Sequence, residues 1–240
     1  MQTDYPFGPL ANMGMVNPFF YHLFEDDFDQ ISTEAYTATK TGNGTIAVAA
    51  GDGGLALFTT NSSSPATTDI ASLQVATAGF SLTLGKKQFA LTRLQLSSAT
   101  NAAFLFGLIQ QSTTPFTVTD GIYFSKASGA LNNLNIISAV GGVFTTVAIP
   151  TSAYTLANTT NLDLGFYVDR KGTIYAFVGA QLVGWLAQSG TGSSVGSRGA
   201  VASMAPALTT ANLTPTIAIQ SGTAASSTMT VDFLMAAKER

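Results

Sequence analysis

The sequence predicts an all-β fold, a two-sheet antiparallel sandwich that follows an extended N-terminal arm. From about Tyr21 onward, short β-type segments are separated at close intervals by Gly, Asn, Asp and Ser, a spacing typical of sandwiches and barrels. Helical periodicity is almost absent, so strands do not alternate with helices. The 240 residues, 46% of them hydrophobic, can form one sizeable core. We therefore predict an arm at residues 1–20 and a β-sandwich domain at residues 21–240.

Glycine-rich turns between apolar segments predict two hairpins. The first joins residues 45–49 to residues 55–59 through a Gly-Asp-Gly-Gly turn, and the second joins residues 135–140 to residues 143–149 through a Gly-Gly turn. Glycine tolerates the positive φ values that tight hairpin turns require. Further strands are predicted at residues 104–109, 122–125, 217–220 and 228–235.

A three-stranded meander is the clearest unit of the sequence. Apolar residues alternate over residues 162–168, 173–177 and 182–186, with turn residues between them. Elsewhere, apolar residues occupy every second position at residues 80–84 and again at residues 89–91. The leucines at positions 94 and 96 also alternate, but they are shifted by one residue relative to positions 89 and 91. Such a change of phase predicts a β-bulge near residues 92–93.

Residues 1–20 are predicted to form an extended arm. Pro6, Pro9 and Pro18 are spaced so that neither a helix nor a central strand fits. The apolar side chains of the arm would be costly in water, so they must lie on the chain's own domain or on a partner. Methionine and aromatic side chains adapt to irregular partner surfaces. The predicted partner contacts are Phe7, Leu10, Met13, Met15, Phe19 and Phe20.

Charged residues make up only 10% of the chain, and the net charge is −3. The basic pairs at residues 86–87 and 170–171 are isolated and form no stripe, so we expect no binding to nucleic acid. A surface this poor in charge indicates that partners cover much of it in an assembly. We therefore expect a homo-oligomer that contacts other proteins.

The residue inventory excludes several kinds of chemistry. There is no cysteine, so disulfides, thiolate catalysis and thiolate metal sites are absent, and we predict no cofactor. The first residues lack the basic and apolar regions of a secretory signal, from which we expect synthesis in a cytoplasm. Polar residues interrupt every long uncharged stretch, so no membrane span is predicted.

The motifs that could carry catalysis lack their required context. Residues 192–196 match the Gly-x-Ser-x-Gly pattern, but no strand-to-helix turn is predicted there and the only histidine, His22, lies upstream. Glycosidases need two carboxyl groups across the scissile bond, and the three glutamates lie at positions 25, 34 and 239. We therefore expect no enzymatic activity and name no catalytic residue.

Two binding sites were weighed from the residue pattern. The acidic residues at positions 25–29 have ligand chemistry suited to calcium but not the spacing of an EF-hand, and a solvated acidic turn is the alternative. We predict no metal there, and none at the lone His22. Trp185, Tyr175 and Tyr167 could form an aromatic platform for a sugar ring, whereas the alternative places them in the core.

The meander at residues 164–185, with its bulge-prone Gly179, resembles the concanavalin-A-like jelly roll of lectins and glucanases. The segments at residues 24–28 and 230–235 resemble the first and last strands of that fold, which pair in one sheet. The alternating acids of a glucanase strand and the metal cluster of a lectin have no match here. Neither hydrolysis nor calcium-dependent sugar binding therefore carries over from the resemblance.

Within that fold, the charge-poor, cysteine-free sequence and its aromatic arm look like tailed-bacteriophage virion proteins, particularly capsid decoration or cement proteins. This resemblance implies a structural protein on the capsid surface of the virion. It would bind and stabilise the shell through the arm and loops, with the major capsid protein and other virion proteins as partners. The alternative function is a carbohydrate-binding, lectin-like domain or a receptor-binding fibre domain. An esterase or glycosidase is the third hypothesis.

Overall fold

The computed structural model confirms the all-β prediction. It describes residues 18–51, 53–61, 68–129, 133–188, 201–205, 208–223 and 225–240. The helical elements of these residues are two single 3₁₀ turns at Pro115–Thr117 and Thr151–Ala153. In the described part of the chain, no helix has the length and hydropathy needed to cross a bilayer.

The strands form two sheets that pack as a sandwich. Sheet A contains β1 (Tyr21–Asp26), β3 (Thr45–Ala49), β4 (Leu55–Thr59), β7 (Gln88–Leu96), β12 (Asn161–Val168), β13 (Ile174–Val178), β14 (Gln181–Gln188), β15 (Val201–Ala205) and β17 (Thr228–Glu239). Sheet B contains β2 (Tyr36–Lys40), β5 (Ile70–Val75), β6 (Phe80–Ser81), β8 (Ala102–Gln110), β9 (Gly121–Lys126), β10 (Leu134–Val140), β11 (Val143–Ala148) and β16 (Asn212–Ser221).

The order of strands in sheet A is β15, β14, β13, β12, β7, β17, β4 and β3, and β1 also pairs with β17. The order in sheet B is β11, β10, β9, β8, β16, β5 and β2, and β6 pairs with β16. Neighbouring described strands run antiparallel, except that β14 and β15 run parallel. The predicted two-sheet antiparallel sandwich is therefore confirmed.

The main core lies between the two sheets. Alternate residues of β8, β9 and β12 place Phe106, Phe124 and Phe166 there, each fully buried. The ring of Phe106 lies 6.4 Å from the ring of Phe124 and 6.4 Å from that of Phe166, measured between centroids. Burying each such side chain stabilises the fold by about 1.5–3 kcal/mol, so this aromatic contact ties sheet B to sheet A.

The predicted pairings of the hairpins and the terminal strands are confirmed. β3 pairs with β4, β10 pairs with β11, and the meander of β12, β13 and β14 lies in sheet A. The first and last strands pair from Tyr21 opposite Glu239 to Asp26 opposite Leu234. The strand expected at residues 80–84 is shorter, because only the two residues of β6 join a sheet.

The change of phase within β7 has a different cause from the predicted bulge. β7 is one unbroken strand, in which Leu94 faces the main core while Phe89 packs in a separate cluster on the other face of sheet A. The bulge lies on the neighbouring β17, where the register with β7 shifts between Val231 and Phe233. The predicted bulge at residues 92–93 is therefore wrong, because apolar side chains occupy both faces of β7.

Lys126 is a charged residue that the fold buries completely. Its Nζ donates hydrogen bonds to the carbonyl oxygens of Ala102 at 2.7 Å, Ala127 at 2.9 Å and Thr100 at 3.3 Å. Three N–H donors therefore meet three acceptors, which is the full donor capacity of an ammonium group. Burial lowers the pKa of Lys126 to about 8. The lysine ties the connection between β7 and β8 to the end of β9.

We predict that Lys126→Met lowers the free energy of unfolding by about 2–4 kcal/mol, because three buried carbonyls lose their donor. The folded-state pKa of about 8 lies below the ordinary value of 10.5, so between these pH values the unfolded chain binds more protons. Lys126 therefore makes stability rise with pH across that window, by about 1.4 kcal/mol per unit of pKa difference at most.

Urea denaturation at pH 8 and pH 10 measures both effects. Between pH 8 and pH 10, the free energy of unfolding should increase more for the original chain than for Lys126→Met. Lys40→Met, at an exposed lysine of β2, should show the same increase as the original chain. Equal stability of the Lys126→Met chain and the original chain would show that the buried ammonium has no structural role.

Candidate functional site

The acidic residues of the strands all lie in sheet A. None of the eight strands of sheet B contains an aspartate or a glutamate, whereas sheet A carries five. These five are Glu25, Asp26, Asp163, Asp232 and Glu239. Sites that need carboxylates on a sheet surface can therefore form only on sheet A, among the described strands.

The outer face of sheet B is covered by the chain itself. The connection between β8 and β9, at residues 111–120, lays Phe116 and Val118 on an apolar cluster of that face. The backbone N–H of Ser112 donates to Oε1 of Gln74 on β5 at 3.0 Å, which fixes the connection to the sheet. The middle of this face is thus packed with the chain's own side chains.

The outer face of sheet A carries a second apolar cluster that the two sheets do not enclose. Its most buried members, Phe89, Leu91, Phe177 and Ala237, come from β7, β13 and β17. Partly buried side chains surround them, and they are Tyr21, Leu23, Tyr167, Tyr175, Leu182, Phe233 and Met235. This face combines aromatic surface with the acidic residues of the sheet, and it is therefore the candidate binding face.

Four aromatic residues lie in register across four neighbouring strands of this face. Trp185 pairs with Tyr175, Tyr175 with Tyr167, and Tyr167 with Phe89. The two tyrosine rings stack with centroids 6.0 Å apart and planes 26° apart. Trp185, Tyr175 and Tyr167 are each half-buried, whereas Phe89 is buried. We call these four residues the aromatic row.

Polar groups border the aromatic row. The hydroxyl of Tyr175 lies 3.5 Å from Oδ2 of Asp169, in the turn between β12 and β13. Burial, followed by the negative charge of Asp169, raises the pKa of Tyr167 to about 12 and also raises the pKa of Tyr175. Both phenols therefore keep their protons at neutral pH. The hydroxyl of Tyr167 can donate a hydrogen bond to a ligand, whereas that of Tyr175 donates to Asp169 and can accept one from a ligand.

A polar groove of about 420 Å³ lies on the same face, further along the strands. At its centre the guanidinium of Arg93 forms a two-point ion pair with Asp163, with Nε to Oδ1 at 2.6 Å and Nη2 to Oδ2 at 3.2 Å. Nη1 of Arg93 also lies 3.4 Å from Oδ2 of Asp232. The lining residues of the polar groove are Gly51, Leu55, Arg93, Leu94, Gln95, Asn161, Thr230 and Asp232.

The electrostatics of the polar groove are set by one cation between two carboxylates. The hydrogen bonds to Asp163 are the largest cause that raises the pKa of Arg93, so the guanidinium stays charged at any ordinary pH. The cluster of Arg93, Asp163 and Asp232 has a formal charge of −1, with Arg93 and Asp232 in the lining of the groove and Asp163 beside it on β12. The groove therefore presents hydrogen-bonding groups without an excess of positive charge.

The structure brings together the three residues predicted as a sugar platform. Trp185, Tyr175 and Tyr167 are adjacent on the outer face of sheet A rather than in the main core. Of the predicted arm contacts, Phe19 and Phe20 are 84% and 65% exposed. The other arm contacts, Phe7, Leu10, Met13 and Met15, lie outside the described residues, as does the Gly-x-Ser-x-Gly segment at residues 192–196.

The acidic segment at residues 25–29 is a hydrogen-bonded turn. Oδ1 of Asp26 accepts from the backbone N–H of Phe28 at 2.7 Å, and Oδ2 accepts from the hydroxyl of Tyr36 at 2.6 Å. Across the ranges that the structure describes, no three acidic or histidine side chains converge as metal ligands. The imidazole of the single histidine, His22, lies beside the ring of Phe80, at 5.1 Å between centroids.

Sequence reasoning missed Arg93, Asp163 and Asp232. These residues are far apart in the chain and meet only because β7 lies between β12 and β17. The available signal was the alternation of Phe89, Leu91, Arg93 and Gln95, which places all four side chains on one face of β7. Because a bulge was expected at residues 92–93, the alternation of side chains was not followed from Leu91 to Arg93.

No protein-family model matches the chain, and no curated protein matches it. Solved structures do match. A protein of unknown function from Shewanella oneidensis MR-1 has a TM-score of 0.59 at 13% identity, covering 92% of this chain and 87% of that one. An endo-1,3-beta-glucanase from Streptomyces sioyaensis has a TM-score of 0.58 at 13% identity, covering 93% and 98%. The carbohydrate recognition domain of Emp47p has a TM-score of 0.55 at 9% identity, covering 92% and 97%.

These likenesses define the fold as a two-sheet β-sandwich of the concanavalin-A-like glucanase and lectin type. They also correct one expectation. The prediction of a chain without enzymatic activity is contradicted, because glucanases and a further glycosidic hydrolase stand among the similar structures. The missing glutamate pattern excludes one arrangement of catalytic acids. It was wrong to conclude from it that a chain with this fold has no enzymatic activity of any kind. At these identities the likeness shows the fold alone.

We predict that Arg93→Met lowers the free energy of unfolding by about 1 kcal/mol, because two carboxylates on neighbouring strands lose their shared cation. The side chain of Arg93 is 41% exposed, so solvent limits the effect. Arg170→Met is the matched control, since among the described residues the Arg170 side chain forms an ion pair with one carboxylate, that of Glu239, and is 60% exposed. Its loss should be smaller. Equal losses in urea denaturation would contradict a central role for Arg93.

Proposed function

We propose that this protein binds carbohydrate through the aromatic row of sheet A. The observation that carries the proposal is the row itself, in which Trp185, Tyr175 and Tyr167 lie side by side and half-buried on three adjacent strands. Flat aromatic faces suit the apolar face of a saccharide ring. Protonated phenols beside these rings suit a ligand that binds by stacking and by neutral hydrogen bonds.

The bordering groups support the same class of ligand. Asp169 and the two tyrosine hydroxyls supply acceptors and donors beside the rings, as sugar hydroxyls require. The similar structures include a carbohydrate recognition domain and several glucanases, which act on or recognise saccharides according to their names. That likeness supports the choice of ligand class, and the aromatic row supplies the location.

Trp185→Ala tests the proposal. Removing the largest ring of the row should weaken glycan binding by about tenfold or more, since the stacking surface is lost. Phe144→Ala is the matched control, because Phe144 is a 52% exposed aromatic residue on β11, in the other sheet. A glycan array of all three proteins, followed by calorimetry on each hit, measures the effect. Equal binding by Trp185→Ala and the original chain would refute the assignment.

The same samples report on hydrolysis. The endo-1,3-beta-glucanase among the similar structures makes β-1,3-glucan the first polymer to incubate with the protein. Release of reducing ends would add hydrolysis to binding. Asp163→Asn and Asp232→Asn would then ask whether the carboxylates of the polar groove take part, since glycosidases use paired carboxyl groups.

Attachment to a capsid shell is a second candidate function. The observation that favours it is the exposure of Phe19 and Phe20, 84% and 65%, at the end of the predicted arm. Large exposed aromatic side chains contribute strongly to protein interfaces once a partner covers them. In this proposal the protein is an oligomeric decoration protein at the virion surface, and its arm contacts the major capsid protein and other virion proteins.

Deleting residues 2–18 tests the second candidate. The first strand of the described residues begins at Tyr21, so we expect the truncated chain to keep its far-ultraviolet circular dichroism and its melting temperature. Co-sedimentation with expanded phage-type shells should be lost. The double variant Phe19→Ser with Phe20→Ser should weaken attachment without removing the backbone of the arm. Undiminished decoration by the truncated chain would refute the role of the arm.

A further inference from the structure

The aromatic row and the polar groove lie on one face of sheet A, along the same strands. On β7 the row contains Phe89 and the groove contains Arg93, and on β12 the row contains Tyr167 while Asp163 pairs with Arg93 in the groove. Four residues of a strand span about 13 Å. The neighbouring antiparallel strands β7 and β12 therefore separate the two sites by the same distance, so one extended ligand can lie over both.

The surface between the two sites is low and apolar. Gly165 lies between Leu91 and Phe177 in register, and it contributes no side chain to the face. Leu91 and Phe177 are themselves buried, at 5% and 0% exposure. These residues and their apolar neighbours form the floor between the row and the groove. A chain of sugar rings could cross it without displacing a hydrated charge.

The charge of the polar groove selects the kind of sugar. Asp163 and Asp232 already engage the guanidinium of Arg93, so the cation is not available to pair with an acidic ligand. Glu25 of β1, opposite Met235 on β17, adds a further negative group to the same face. An anionic sugar would meet net repulsion. Neutral hydroxyls can use the amide oxygen of Gln95, the amide N–H groups of Asn161 and the hydroxyl of Thr230, since the amide nitrogen of Gln95 already donates to Thr159 and Asn161.

We propose that the polar groove is a second subsite for the same glycan, and that the ligand is a neutral oligosaccharide long enough to reach from the aromatic row to Arg93. This inference rests on the proposed function. It adds a minimum ligand length and a charge requirement. The row holds one part of the oligosaccharide by stacking, and the groove holds another part by hydrogen bonds to its hydroxyls.

Calorimetric titration with neutral β-1,3-linked gluco-oligosaccharides, from disaccharide to hexasaccharide, tests the length requirement. For the original chain the affinity should rise by about tenfold once the ligand spans both sites. In Asn161→Ala, which removes an exposed amide of the groove, that gain should shrink while disaccharide affinity stays unchanged. Trp185→Ala should weaken binding at every length.

The charge requirement is tested with the same oligosaccharides oxidised to carboxylates at C6. The original chain should bind them about tenfold more weakly than the neutral set, because of repulsion in the groove. Asp232→Asn keeps the shape of the side chain and removes one charge, so it should narrow that difference. Phe144→Ala should leave both series unchanged.

The outcomes separate this inference from the proposed function. The second subsite would be overturned if the affinity stopped rising at the disaccharide, or if Asn161→Ala showed the same dependence on ligand length as the original chain. In either case, weaker binding by Trp185→Ala would still support binding at the row. Tighter binding of the acidic series would overturn the charge requirement. Absence of binding to every glycan would overturn the proposed function, and this inference with it.

Discussion

The structure depends on the burial of apolar side chains on both faces of both sheets. One cluster fills the space between the sheets, and two further clusters lie on the outer faces. An outer cluster needs its own cover. On sheet B the chain supplies that cover from residues 111–120, whereas on sheet A the aromatic row is left half-buried. This difference between the two faces is the reason that we propose a ligand site on sheet A.

The same burial accounts for the small number of charges and for their positions. A strand with apolar residues on both faces has little room for ionised groups, so each one in a strand needs a partner. Lys126 meets three carbonyl oxygens, Arg93 meets two carboxylates, and Asp26 accepts from Tyr36 and from a backbone N–H. The fold itself therefore accommodates these three charged groups.

The hairpins and the meander could be predicted from the sequence because turns and alternation are local signals. Glycine turns located the hairpins, and the meander around Tyr175 was predicted with its neighbours. The polar groove could not be predicted, since Arg93, Asp163 and Asp232 lie on three strands whose adjacency depends on topology. Phe89 illustrates the limit of periodicity, because alternation identifies two faces of a strand without telling which one faces the main core.

Both candidate functions act at the same side of the molecule. Tyr21 begins β1, and its ring packs against Phe89 of the aromatic row at 6.2 Å between centroids. The exposed Phe19 and Phe20 directly precede Tyr21, and Arg240 at the end of β17 donates to the carbonyl oxygen of Pro18 at 3.1 Å. The arm therefore leaves the sandwich at one end of the row. A partner bound to the arm and a glycan bound to the row would be neighbours, so each would change the surroundings of the other.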